Sequence, residues 1–226
     1  MIFDYYCKMY RKALLAILLT GIFSANIVFS QDTFTIGILK YRGGDWYSCI
    51  NAVKNFLKYL HSNTPIKPIL EPAVIDPAKS EIFQYPFIVL NGHGQILLNE
   101  LEKNMLKKYL ENGGLLLAND DYGMDKHFRK LMSEIFPGNR LISLPVSHEI
   151  FKSYYIFHSI PKIHKHDGKK PEILALYIQN RIAVLYVYES DIMDGWEPEG
   201  VHPLDHEKRK KALQLGINIV YYTLTG

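Results

Sequence analysis

Cysteine is nearly absent. The 226 residues contain two, Cys7 and Cys49, and the first lies in a segment expected to be removed. A chain left with Cys49 alone cannot form an intramolecular disulfide, so its stability must come from a packed core. Charge of one sign is also missing. The net charge is +3, and the basic clusters Lys169-Lys170 and Lys208-Arg209-Lys210-Lys211 are short, which leaves no footprint for nucleic acid. Gly43-Gly44 lacks the third glycine of a dinucleotide fingerprint and the lysine of a phosphate loop, so neither cofactor is indicated. There is no two-histidine helical spacing and no acidic calcium loop, and on that ground no metal and no other cofactor is assigned. Internal repeats and low-complexity stretches are absent as well.

What is present fits a globular α/β domain. The apolar fraction is 48% and the charged fraction 22%, and the length suffices for one domain with a full core. Lys8, Arg11 and Lys12 precede the apolar run Ala13 to Ser30, the construction of a secretory signal. Small residues at Val28 and Ser30 predict cleavage before Gln31, giving a signal peptide over 1–30 and a domain over 31–226. Met9 offers a second, tidier start, and an uncleaved membrane anchor is the competing reading. Cleavage removes Asp4 with the three basic residues, so the net charge falls from +3 to +1. The domain is expected to be exported, periplasmic or secreted, with no membrane association after cleavage.

The stretch Gly113-Gly114-Leu115-Leu116-Leu117-Ala118-Asn119-Asp120-Asp121-Tyr122-Gly123 organises the rest. A short apolar run between turn signals reads as a strand buried on both faces. Similar segments at Thr33–Tyr41, Ile69–Ile75 and Phe87–Leu90 alternate with helical stripes. One helix begins after Asp45, with Cys49 on its core face; a second follows a capping box at Asn99 and Glu102, with a stripe of Leu98, Leu101, Met105 and Tyr109. A third spans Met124 to Phe136. This alternation predicts a mostly parallel, doubly wound sheet. Glu172–Ile178 and Ile182–Tyr188 add a hairpin, and a last helix capped by Asp205 runs to Leu224.

Several stretches together resemble the bacterial domain of unknown function family four-one-five-nine. They are Gly43-Gly44-Asp45-Trp46-Tyr47, Tyr85-Pro86-Phe87 to Gly92-His93-Gly94, Gly113-Gly114 to Asp120-Asp121, His166-Asp167-Gly168, Gly195-Trp196-Glu197 and Gly216-Ile217-Asn218-Ile219-Val220-Tyr221. The resemblance implies a three-layer, flavodoxin-like fold similar to the class I glutamine amidotransferases. It implies no activity. Those enzymes carry a cysteine on the tight turn after a central strand; here the matching turn is Asp120-Asp121-Tyr122-Gly123, with Asp121 where the thiol would be. Without a thiolate there, glutamine hydrolysis is not expected.

In open α/β sheets ligands sit beyond the carboxyl ends of the strands. Three loops, from Gly43, Asn91 and Asn119, should meet there, and the candidate ligand-binding residues are Gly43, Gly44, Asp45, Gly92, His93, Asp120, Asp121 and Trp196. Asp45 and Asp120 each have a second reading as helix caps, and His164 and His166 read as exposed loop histidines or as a ligand pair with Asp167. Tyr41, Trp46, Tyr47, Tyr122 and Trp196 are read as exposed aromatics near the site. His202 lies in a loop able to fold over the pocket. Two functions follow. The first is an exported binding or accessory module that holds a small polar ligand or a protein partner. The alternative is a hydrolase working through His93 and Asp121, possibly metal-assisted.

Overall fold

A computed structural model describes residues 34–225. The expected signal segment, its cleavage point and the second start at Met9 lie outside the described residues. Seven strands form one sheet in the order β2-β1-β3-β4-β7-β6-β5. They are β1 Gly37–Leu39, β2 Ala73–Ile75, β3 Phe87–His93, β4 Leu115–Tyr122, β5 Ile142–Ser143, β6 Glu172–Ile178 and β7 Arg181–Tyr188. The first five in spatial order are parallel, and β6 and β5 add antiparallel at one edge.

Four helices cover the two faces: α1 Ile50–Asn63, α2 Glu100–Glu111, α3 Asp125–Ile135 and α4 His206–Thr225. Alternate residues of a strand face opposite ways, so the central strands contribute to two cores. Val89, Leu117, Leu185 and Val187 pack with Phe56 and Leu57 of α1 and Ile217 and Val220 of α4. Leu90, Ala118, Val184 and Tyr186 pack with Leu106 of α2 and Phe128 and Leu131 of α3. Among the described residues no helix is long and apolar enough to cross a membrane.

Local chemistry explains the boundaries. Asn99 and Glu102 form the expected capping box, with Asn99 Oδ1 accepting from Glu102 N at 3.0 Å and Glu102 Oε2 accepting from Asn99 N at 2.6 Å. The Glu102 carboxylate also takes a two-pronged ion pair from Arg42, which anchors the loop after β1 to the start of α2. Of the expected stripe of α2, Leu98 and Tyr109 are buried, whereas Leu101 is exposed and Met105 half-buried, their places in the core being taken by Leu106 and Leu110. The β6–β7 hairpin closes on Gln179 and Asn180, both with positive φ (51° and 65°). Two consecutive left-handed residues give the turn whose twist matches the strands, and Asn tolerates that conformation.

Two strands run further than their apolar cores. β3 continues through Asn91-Gly92-His93 and β4 through Asn119-Asp120-Asp121-Tyr122, where Asn91, Asn119 and Asp121 hydrogen-bond to one another across the two strands. Asp120-Asp121-Tyr122-Gly123 is therefore strand end rather than the tight turn read from sequence. β1 leads through α1 to β2 on one side, whereas β3 leads through α2 to β4 on the other. The point where the winding reverses lies between β1 and β3, and a crevice opens there beyond the strand ends.

Candidate functional site

Asp45 follows β1, His93 ends β3 and Asp121 lies near the end of β4, so all three reach the same crevice. The backbone at Gly92 makes this possible. It has φ +140°, and a Cβ there would fall 2.3 Å from Tyr41 Oη and 2.7 Å from Asp45 Oδ1, so only glycine lets the strand bring His93 against Asp45. A bulge at Gly92/His93 in the pairing with β4 turns the imidazole into the crevice.

Asp45 is committed to His93. Its Oδ1 accepts from His93 N at 2.7 Å, and its Oδ2 lies 3.0 Å from His93 Nδ1. It makes no side-chain cap to the 3-10 turn Trp46–Cys49 that precedes α1, so its role as a helix cap is corrected. Although its partial burial works the other way, the hydrogen bonds and charge of His93 hold the Asp45 carboxyl below its ordinary range. The other ring nitrogen, His93 Nε2, faces Asp121 Oδ1 at 3.5 Å, too long for a good hydrogen bond.

The neighbouring carboxylates separate by strand parity. Asp120 points to the α2/α3 face, where Oδ1 accepts from Met124 N at 2.9 Å and Oδ2 from Tyr186 Oη at 3.2 Å. It shapes the start of α3 and does not enter the crevice. Asp121 points to the α1/α4 face with Asn119 and Asn91. Asn119 Nδ2 donates to Asn91 Oδ1 at 2.6 Å and Asn91 Nδ2 donates to Asp121 Oδ2 at 3.3 Å. Burial first, and then the charge of Asp191, push Asp121 up to about 6.

The far wall comes from the last third of the chain. Asp191, held at φ 55°, and Asp194 follow β7. Asp191 Oδ1 accepts from Asn119 Nδ2 at 2.8 Å, and its Oδ2 lies 3.3 Å from His166 Nε2 and 3.7 Å from His164 Nδ1. Asp194 meets His164 Nδ1 at 2.9 Å and His202 Nε2 at 3.2 Å. Burial and then the charges of Asp191 and Asp121 push Asp194 up to about 7. Asp191 goes the other way: although burial opposes it, hydrogen bonds with His164, His166 and Asn119 keep it low. Two sets of these side chains could hold a metal: His164, His166 and Asp191, and Asp121, Asp191 and Asp194.

A cavity of about 330 Å³ lies between the walls, lined among others by Ser48, Asn91, His93, Asp121, His164, Asp194 and His202. Several expected participants are elsewhere. Trp196 is fully buried, stacked on Phe56 at 4.2 Å and donating Nε1–H to Ala212 O at 3.0 Å. Tyr41 is buried too, and of the aromatics read as exposed only Tyr47 and Tyr122 are more than half exposed. Gly43 and Gly44 shape the loop and do not line the cavity. A Cβ on Gly44 would lie 2.6 Å from His93 O. Cys49 is buried, with its thiol pushed up to about 12 by burial, so no thiolate is available at this edge. The His166 side chain is 5% exposed, which corrects its reading as an exposed loop histidine.

Asp191 and Asp194 escaped sequence reasoning. The cue was there: the strand Ile182–Tyr188 ends in Glu189-Ser190-Asp191, much as Leu115–Ala118 ends in Asn119-Asp120-Asp121. Its relevance depends on β7 pairing parallel with β4, a long-range fact that a hairpin reading does not supply. A family model described as a domain of unknown function, DUF4159, matches residues 35–224. No curated protein matches the chain.

Proposed function

The chain belongs to the DUF4159 family, and on that premise we propose that the crevice is a hydrolytic centre acting on a small, neutral or cationic polar substrate, with His93 as the general base. The observation that carries this reading is the pairing of His93 Nδ1 with Asp45 at 3.0 Å while Nε2 faces the cavity beside Asp121. A carboxylate on one ring nitrogen fixes the tautomer and leaves the other lone pair directed at the reaction space. A water bound between Nε2 and Asp121 would be oriented by both. In an ester or amide hydrolysis its oxygen attacks the carbonyl carbon and its proton passes to His93 Nε2. The same proton then returns to the departing oxygen or nitrogen, so none is left over.

Charge selects the substrate class. Asp121 and Asp194 line the cavity, with Asp45 behind His93 and Asp191 buried behind His166, a carboxylate-rich wall that disfavours an anionic ligand. The volume suits a ligand the size of an amino acid or a monosaccharide. The strand order β2-β1-β3-β4-β7 supports a flavodoxin-like, amidotransferase-like scaffold whose thiol chemistry has been replaced. Export through a cleaved N-terminal signal belongs to the same reading.

The test is turnover of a panel of neutral and cationic chromogenic esters, amides and glycosides by the wild-type protein, His93→Gln and Asp45→Asn. Loss of the base should lower kcat/KM by about 10²–10⁴ while leaving the melting temperature within a few degrees. Turnover unchanged in His93→Gln would refute the role of His93. Saturable binding without turnover, lost in the same variants, would favour the ligand-holding module instead.

A further inference from the structure

Two imidazoles facing one buried carboxylate oxygen are more than an ion pair requires. Asp191 Oδ2 has His166 Nε2 at 3.3 Å and His164 Nδ1 at 3.7 Å, and the Asp191 side chain is 1% exposed. The geometry points to a binding site for a divalent first-row transition metal, formed by His164, His166 and Asp191, with Asp194 beside it as the source of a fourth ligand. The site does not depend on the hydrolase reading.

The spacing is that of a coordination shell. Ligand atoms about 2.1 Å from a tetrahedral zinc ion lie about 3.4 Å apart, close to the separations seen around Asp191 Oδ2. Two nitrogens with one or two carboxylate oxygens suit zinc, cobalt or iron rather than magnesium or calcium, which take oxygen. The ligands are also held. Asn119 fixes Asp191 Oδ1 at 2.8 Å, the kind of outer contact that orients a ligating carboxylate. Glu189 accepts from Asp167 N at 3.1 Å and from Lys162 Nζ at 2.8 Å, tying the irregular segment that carries His164 and His166 to the loop that carries Asp191. Glu189 and Asp191 both have left-handed backbone, φ 56° and 55°, strain of a kind that gathers where side-chain placement matters.

Three carboxylates, Asp121, Asp191 and Asp194, approach one another here. A dication would relieve the repulsion among carboxylates held this close. His164 lines the cavity together with His93, so an ion held here would stand on the wall opposite the proposed base.

The experiment uses chelator-stripped protein titrated with Zn²⁺ by calorimetry and with Co²⁺ by visible absorption, for wild type, His164→Gln, His166→Gln and His93→Gln. Wild type should take up one Zn²⁺ per chain, rise in melting temperature with the ion, and give Co²⁺ bands of low-symmetry coordination. Each of His164→Gln and His166→Gln should weaken binding at least 10-fold, whereas His93→Gln should bind as wild type does. His164 is half exposed, so its variant reports binding even if His166→Gln folds poorly. Absence of stoichiometric uptake by wild type, or full affinity in His164→Gln, would overturn the assignment. So would loss of binding in His93→Gln alone, which would move the ion to the other wall. Because uptake is read without substrate, a failed turnover panel and a failed metal titration remain distinct results.

Discussion

Asp121 carries the clearest residue-scale consequence. Its ordinary value is 3.8 and burial with the Asp191 charge raises it to about 6 in the fold, so the native state holds this proton more tightly than the unfolded chain. The stabilising contribution is therefore complete below about pH 4 and is lost as pH rises through about 6. Asp121→Asn keeps a neutral group throughout. In metal-free protein it should match wild type near pH 4 and exceed it by about 1–2 kcal/mol at pH 7.5, the neighbouring acids sharing part of the effect. Denaturant unfolding at both pH values checks this; equal stability of the two proteins at pH 7.5 would contradict the buried, charge-crowded setting. At this scale the sequence was a partial guide. It named Asp45, His93 and Asp121, since each follows a recognisable strand. It could not tell that Asp45 spends both oxygens on His93, nor that Trp196 lies under α4, because a residue's partner across the fold is not a local property.

At the scale of elements, α4 is fixed by how closely it can approach its neighbours. A Cβ on Gly216 would stand 2.6 Å from both Phe56 and Trp196 ring carbons, so Gly216→Ala must displace one ring of a stacked pair. Overpacking of this kind costs about 1–3 kcal/mol, offset by about 1 kcal/mol of helix propensity. A net loss of up to about 2 kcal/mol is expected as a lower urea midpoint with unchanged slope. A more stable variant would show that the helix sits further from Phe56 and Trp196. The close approach of Gly216 was legible in the helical stripe, as were the capping box and the hairpin, because each rests on neighbours in sequence. Asn218 illustrates the opposite case. Buried in α4, it bonds to Ile150 O and to both backbone groups of Tyr155, holding a segment with little regular structure that no periodicity announces.

At the scale of the molecule, the doubly wound order places the ends of β1 and β3 either side of the reversal, and β7 returns parallel beside β4 to close the far wall. The fold class was readable from strand–helix alternation. The site was readable only by half, since its second wall depends on a strand pairing across 60 to 70 residues. We propose that this crevice is where the protein meets its ligand. Backbone amide NMR of the isotopically labelled domain, titrated with a library of small neutral and cationic polar compounds, tests it without assuming catalysis. Shifts from the compounds that bind should map to residues 45–48, 91–94, 119–122, 164–166 and 191–202. Shifts confined to another surface, such as the cleft between Leu98, Lys103 and Leu131, would contradict it.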